Sequence, residues 1–334
     1  MRLALHELMS TRRQPFFCHL TDGLLAEAAG VPLDRLHRDV EAICRAGDAG
    51  RPIAERLGLS PPPPHLAGFA YPHVTTLGCE VSWPEGSEPN VRPCIRRPED
   101  IDELREPEDY LRCGVVPQRL ATLAELRRRR PDAINYIGHP YEGPVTTAVL
   151  LMGSDFLLLA QDDPARVHRL LRFCVESAVH YARAISARLG HAIQPGPQWM
   201  PDDFAGLFSP AQFREFVAPY WDMLFTELEA TERHVHSELL RVGHLPMLAD
   251  LGVATFDPSA DQYLTPELLR RHCPVPFTAL IKDWEIRDHS AGELPALYRH
   301  IAGSEPVSIS FTLARLCDEE KVRALLDVAR ELAA

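Results

Sequence analysis

The sequence predicts an α/β fold, a (β/α)8 TIM barrel with helical N-terminal additions, as one domain over residues 1–334. Three observations lead there. Beyond Leu120, short apolar runs alternate with amphipathic stretches of about ten residues or more, and such alternation builds a parallel sheet. No GxGxxG or GxxxxGK[ST] loop follows the early strands, which removes the usual phosphate cradle of an open doubly wound sheet. The length, 334 residues, suits a single barrel with insertions.

The elements follow in order. Apolar residues at three- and four-residue spacing predict helices over 3–9, 22–29 and 33–46. The Pro61–Pro64 run is a stiff spacer. Residues 1–64 carry amphipathic periods but are too few for a core of their own. They are expected to pack on the barrel and help cover its mouth, with Phe16, Phe17 and His19 as candidates to reach the cavity. Tyr71, Val74, Leu77, Cys79 and Val81 alternate with other residues before a PEGSEP turn at 84–89, which reads as a strand, a hairpin and a return strand. Pro98 opens a helix with acids in its first turn. Helices are then predicted over 120–129, 145–160 and 164–188, with a short strand over 133–138. Residues 192–199 lead to Ser209, a good N-cap for a helix over 210–230. Strands over 234–237, 254–256, 277–281 and 307–313 alternate with helices over 244–251, 266–272, 294–301 and 319–332.

Composition narrows the function. Hydrophobic residues make up 46% and charged residues 25%, ordinary globular values, and the net charge is −12. That charge argues against nucleic acid or an anionic membrane as a partner. The basic run Arg127–Arg130 ends a helix of mixed charge and reads as a solvated helix end. Eight cysteines are scattered without a CxxC pair, so no disulfide framework is expected. The longest apolar stretch, Val145–Met152, is far short of a membrane span, and the start lacks a secretory apolar core. A cytoplasmic location is the expectation.

Three segments place reactive side chains at predicted strand ends. The first, from Tyr136 to Pro144, is a Gly/Pro-rich loop carrying His139, Tyr141 and Glu142. The second begins Pro201-Asp202-Asp203. Adjacent residues of an extended chain point apart, so only one carboxylate can face the barrel mouth. Asp203 is assigned there and Asp202 to a loop or cap. The third is His234-Val235-His236-Ser237-Glu238. Alternate strand residues share a face, so His236 can converge with Glu238 or with His234, and imidazole and carboxylate both bind zinc.

Taken together, these segments resemble the superfamily of uroporphyrinogen decarboxylase and the cobalamin-dependent methyltransferases. The likeness runs from about Leu77 to the C-terminus. It rests on Leu77-Gly-Cys-Glu-Val, on Arg97-Pro-Glu-Asp-Ile-Asp-Glu-Leu, on Asp202–Tyr220, and on His236-Ser-Glu-Leu followed by His244–Val253. The resemblance implies a (β/α)8 barrel. The decarboxylases' arginine-rich N-terminal segment is absent, the start here reading Ser10-Thr-Arg-Arg-Gln-Pro, so porphyrinogen decarboxylation is not expected. The methyltransferase branch holds zinc through HxC and a distant cysteine. By resemblance the first ligand is His236, Glu238 stands in place of the first cysteine, and Cys317 lies near the second. His244 or Asp257 could fix the imidazole tautomer. The function expected is a zinc-dependent methyltransferase using a corrinoid on a partner protein, or another methyl donor. Asp203, His236, Tyr141 and His139 would be its catalytic residues. A metal-independent decarboxylase or lyase acting on a non-porphyrin or tetrapyrrole-like substrate is the alternative, and a non-catalytic corrinoid- or tetrapyrrole-binding protein the third.

Overall fold

A computed structural model of the chain describes residues 15–191 and 195–333. The predicted helix over 3–9 and residues 192–194 lie outside the described residues. Six parallel strands carry the site: β1 (Phe16–Leu20), β4 (Gly196–Pro201), β5 (Ala230–His236), β6 (Val253–Asp257), β7 (Thr278–Ile281) and β8 (Ser308–Leu313). Two short antiparallel strands, β2 (Glu80–Ser82) and β3 (Asn90–Arg92), form a separate hairpin. Parallel ladders join β1 to β8 and β8 to β7, and β4 to β5 and β5 to β6. A single bridge from Phe256 to Phe277 links β6 to β7. The order is therefore β1-β8-β7-β6-β5-β4, a TIM-barrel-like sheet with helices between its strands.

The gap between β4 and β1 corrects one expectation. Residues 133–138 are a loop, not a strand. Their backbone groups go elsewhere: the Ile134 amide donates to the Pro64 carbonyl at 3.0 Å, and the His139 amide to Phe69 at 2.9 Å. Gly138 has φ +134°, and a Cβ there would lie 2.6 Å from the Phe69 carbonyl oxygen. Glycine is required for that approach.

The N-terminal region is corrected as well. Residues 1–64 are more than a helical addition, because Phe16–Leu20 is a strand of the sheet, paired residue for residue with β8. Its length defeated the helical reading: five extended residues fit equally well into an apolar helical face. Phe16, Cys18 and Leu20 pack into the core under the C-terminal helices, and Phe16 stacks on Phe311. Phe17 and His19 point from the opposite face, as alternation requires. The helix over Asp22–Ala29 forms as predicted, whereas 33–46 splits into a 3₁₀ turn (Leu33–His37) and a longer helix (Val40–Arg56).

The remaining differences are local. Val74 sits in a short helix (Pro72–Thr76), so the alternation before the hairpin does not make a strand. The helix expected over 145–160 breaks at Gly153 (φ +82°) into Pro144–Met152 and Asp155–Asp162, bent by 105°. No single described helix is long and apolar enough to cross a membrane. Ser209 caps its helix as predicted, its hydroxyl accepting from the Gln212 amide, but the helix passes through a π turn at Phe213–Val217. Asp283–Asp288 is a helix that was not predicted. The largest core cluster packs Pro164–Leu189 and Ala218–Glu227 behind β4–β6. Arg128, Arg129 and Arg130 pair with Glu125, Glu41, Asp48 and Asp132, so most of the basic run is neutralised locally.

Candidate active site

Strands β4, β5 and β6 end level with one another. Their last residues interlock through the backbone: the Asp202 amide donates to His236 at 2.8 Å, and the Ser237 amide to Asp257 at 3.1 Å. The side chains that follow are therefore fixed on a rigid rim rather than on free loops.

Asp202 is completely buried, as the capping assignment requires. Its carboxylate accepts from the amides of Thr146 at 2.6 Å and Val145 at 3.3 Å, in the first turn of Pro144–Met152, and from Trp221 Nε1 at 2.6 Å. Burial raises its pKa to about 6, and these donors pull the other way. Gly143 must be glycine, since a Cβ would lie 2.4 Å from the Asp202 side chain. The loop after Gly138 is thereby clamped to the strand ends.

Asp203 turns to the open side and meets His236. His236 Nδ1 lies 2.9 Å from Asp257 Oδ2, and Nε2 lies 3.5 Å from Asp203 Oδ1. Asp257 is fixed in turn by Thr278 Oγ1 and the Ser259 amide, each donating at 2.9 Å. Burial works against the Asp257 charge, but His236 and these donors outweigh it and hold the carboxyl below its usual range. Burial likewise opposes the His236 charge, and Asp257 and Asp203 overcome it, so the imidazole pKa is raised. Asp203 is pushed up by burial despite the pull of His236. The Trp199 ring stands beside both His236 and His234, with centroids 6.4 and 5.9 Å away.

Glu238 joins the rim through its backbone. Its amide reaches Asp203 Oδ1 at 3.4 Å, and its carboxylate accepts from the Ala260 amide at 3.2 Å. The two residues that carry these turns, Leu239 and Ser259, have positive φ of 62° and 52° without being glycine. Strain of that kind persists only where the surroundings enforce it.

Glu142 is the residue whose weight the sequence did not reveal. It is buried, and burial together with the charges of Asp203 and Asp202 pushes its pKa well above the usual carboxylate range. Tyr71 feels both Glu142 and Asp203. A second buried carboxyl, its ionisation opposed by burial and by the charges of Asp203 and Asp202, thus belongs to this region.

The other expected residues fall elsewhere. Tyr141 is buried, its hydroxyl 3.2 Å from Gln198 Oε1, and His139 Nδ1 sits 2.5 Å from the Tyr141 carbonyl. Both shape the loop that carries Glu142. His244 bridges the Arg241 amide and the Phe208 carbonyl, so of the two candidates for the imidazole partner it is Asp257 that holds His236. Cys317 is exposed on the 3₁₀ turn Leu316–Asp318 beyond β8. Among the described residues no three His, Cys, Asp or Glu side chains are grouped to hold a metal, so His236, Glu238 and Cys317 do not converge as they stand.

Comparison with known proteins gives the family and the fold. A family profile for uroporphyrinogen decarboxylase (URO-D) matches residues 72–267, which contain Glu142, Asp203, His236 and Asp257. The uroporphyrinogen decarboxylase of Trichormus variabilis is 25% identical over 190 residues, 54% of this chain and 51% of that one. One from Thermus thermophilus is 26% identical over 215 residues, 60% and 58% of the two chains. The chain spans about half the length of the curated relatives it matches. A solved structure, a methyltransferase from Methanosarcina mazei, superposes with a TM-score of 0.73 at 18% identity, covering 99% of this chain and 98% of its own. It shows the shared fold over the whole length. The chain belongs to the uroporphyrinogen decarboxylase (URO-D) family.

Proposed function

We propose that the chain is a methyltransferase of the URO-D family that uses zinc on His236 and the carboxylates beside it. The observation that carries this reading is the exposed edge of His236, with Nδ1 tied to Asp257 and Nε2 standing 3.5 Å from Asp203 Oδ1. Two ligands of a tetrahedral zinc, each bonded at about 2 Å, lie about 3.3 Å apart. The separation therefore suits a shared cation better than a hydrogen bond. Metal-binding histidines are commonly held by a carboxylate at their other nitrogen, as Asp257 holds this one. Asp203 and Glu238 add negative charge that suits a dication. Glu238 and Cys317 belong to the ligand set that the family likeness suggests, and of the two Glu238 is the nearer to this edge.

Bound zinc would supply Lewis acidity toward the methyl acceptor. The chain's own residues do the rest. Asp257 fixes the imidazole tautomer and orientation, with Thr278 and the Ser259 amide behind it. Burial and the neighbouring carboxylates favour the neutral form of Glu142, which can donate a hydrogen bond to substrate where the charged form only accepts. Trp199 walls one side. The methyl group would come from a corrinoid on a partner protein or from another donor.

A second reading is favoured by the raised pKa values of His236 and Glu142, two groups poised to give protons. In it the chain is a metal-free decarboxylase or lyase on a non-porphyrin substrate. Metal analysis of protein purified without chelator separates the two. Near-stoichiometric zinc that is lost in His236→Ala supports the first, and turnover undiminished in strong chelator leaves the second.

A further inference from the structure

The hairpin β2–β3 borders the active-site mouth and is docked at its tip. The Gly86 amide donates to Asp34 Oδ1 at 2.9 Å, and Glu88 lies 3.4 Å from His37 Nε2. Trp83 packs its ring on His37 and Phe69, with centroids 5.3 and 5.4 Å away. Phe69 in turn meets Tyr71 at 5.6 Å, and Tyr71 feels Glu142, Asp203 and Glu88 of the hairpin itself.

At the opposite end, the feet of this hairpin are two cysteines. Cys79 directly precedes β2, and Cys94 follows β3 by one residue beyond Pro93. Their sulfurs are 3.7 Å apart, the one thiol–thiol contact among the described residues. The other contacts of these sulfurs are weak, to the Leu150 carbonyl at 3.6 Å and the Leu77 carbonyl at 3.7 Å.

We propose that Cys79 and Cys94 are a peroxide-responsive modification site, forming a reversible disulfide that staples the feet of the hairpin beside the active-site mouth. The inference does not depend on zinc or on methyl transfer. Side-chain rotation must bring the sulfurs from contact to the bonded distance of about 2.05 Å. Cys94 is the more exposed of the two and is the attacking group. The thiol of Cys79, donating to its sulfur, favours the thiolate, as do nearby amides and Arg96.

The chemistry balances with a hydroperoxide as oxidant. The Cys94 thiolate attacks one peroxide oxygen, the O–O bond breaks, and the departing hydroxide (or alkoxide) takes up a proton. Cys94 is left as a sulfenic acid. Cys79 then loses its proton as its sulfur attacks the sulfenic sulfur. The S–O bond breaks and the second oxygen leaves as water. Two thiols have given up two electrons and the peroxide has accepted them. A thiol reductant reverses the bond by exchange.

The test uses the full chain and hydrogen peroxide. After brief oxidation and alkylation of the remaining thiols, a Glu-specific protease that cuts after Glu85 separates the two cysteines. The expected result is a reductant-sensitive cross-link between the Cys79 and Cys94 peptides. The free-thiol count of the denatured protein should fall by two from eight. In Cys94→Ser no thiol should be consumed at the same dose, and Cys79→Ser should halt at sulfenic acid on Cys94, captured by a dimedone-type probe. Three results overturn the proposal: both thiols intact under excess peroxide, a cross-link through buried Cys174 instead, or oxidation of Cys94 to sulfinic acid without a cross-link.

Discussion

Two histidine–aspartate pairs stand beside the ends of strands in opposite halves of the sheet, and the difference that matters is at the second ring nitrogen. Beyond β1, His65 Nε2 lies 3.0 Å from Asp22. At the end of β5, His236 Nδ1 lies 2.9 Å from Asp257. Side-chain exposure is the same in both, 24% for the histidine and 21% for the aspartate, so burial cannot tell them apart. The second ring nitrogen does. In His65 it meets the Pro63 carbonyl at 2.9 Å, and Asp22 also accepts from the Gly68 amide. That pair is closed on itself and ties the Pro61–Pro64 spacer to the helix after β1. In His236 the second nitrogen stands 3.5 Å from Asp203 Oδ1, its one ion-pair partner among the described residues and at a distance longer than a hydrogen bond. Saturated bonding marks a structural pair, and the open edge is the feature on which the proposed metal site rests.

The sharpest break in this comparison is His236→Ala against His65→Ala. The former should reduce bound zinc from near one per chain to near zero, and should also cost about 1–3 kcal/mol of stability because Asp257 loses its partner. Equal zinc in wild type and variant, by elemental analysis, would remove the metal from the open edge. Asp257→Asn comes next. The amide still reaches Nδ1 but orients and polarises the ring less, so zinc affinity should fall by about 10–100-fold, read by competition with a chromogenic chelator.

His65→Ala should leave zinc unchanged and cost about 1–3 kcal/mol of stability, because Asp22 loses its partner while half buried. Its pH signature follows from the two shifts. Burial opposes the His65 charge, but the bond to Asp22 wins and raises the pKa above 6.5. That contribution is complete below pH 6.5 and is lost as pH rises through the folded value. Asp22 is held below 3.8, against burial, by His65 and the Gly68 amide. Its contribution is complete above pH 3.8 and is lost as pH falls through the folded value. The stability gap between wild type and His65→Ala should therefore peak between these limits. A gap that grew steadily above pH 7 in urea melts would contradict the assignment.

The sequence disclosed the open pair more readily than the closed one, for physical reasons. His236 and Glu238 stand at strand spacing beside a run of family-like residues, and Asp202 and Asp203 could be divided by alternation alone. Asp257 was within reach as a partner because it ends the next strand. Asp22 and His65 gave no such signal, since 43 residues and a proline run separate them. Strand β1 escaped for a related reason: a parallel strand depends on a partner nearly 300 residues away, Phe16 pairing with Ile309. Glu142 was visible in a loop, but its elevated pKa arises from burial against Asp203, which only the fold creates.

The smallest expected effect belongs to Cys317. If the open edge of His236 is the metal position, the cysteine suggested by family likeness has no part in it as the chain stands. Cys317 is exposed on a turn held by other residues. Arg315 pairs with Asp318, and the Leu316 amide donates to Glu27 at 3.0 Å. Serine at 317 preserves size and loses no buried contact, so stability should shift by less than about 0.5 kcal/mol. Zinc content should remain equal to wild type, whereas Glu238→Gln, on the rim beside Asp203, should lower it. The reverse ranking is equally measurable. Loss of zinc in Cys317→Ser with retention in Glu238→Gln would mean that the turn after β8 swings inward when metal binds, and would move the metal toward the β8 side of the mouth. Thiolate and carboxylate ligands also differ in their absorption with Co(II) substituted for zinc, thiolate alone giving intense charge-transfer bands in the near ultraviolet. A cobalt-loaded wild-type protein lacking those bands would place oxygen and nitrogen, not sulfur, around the ion.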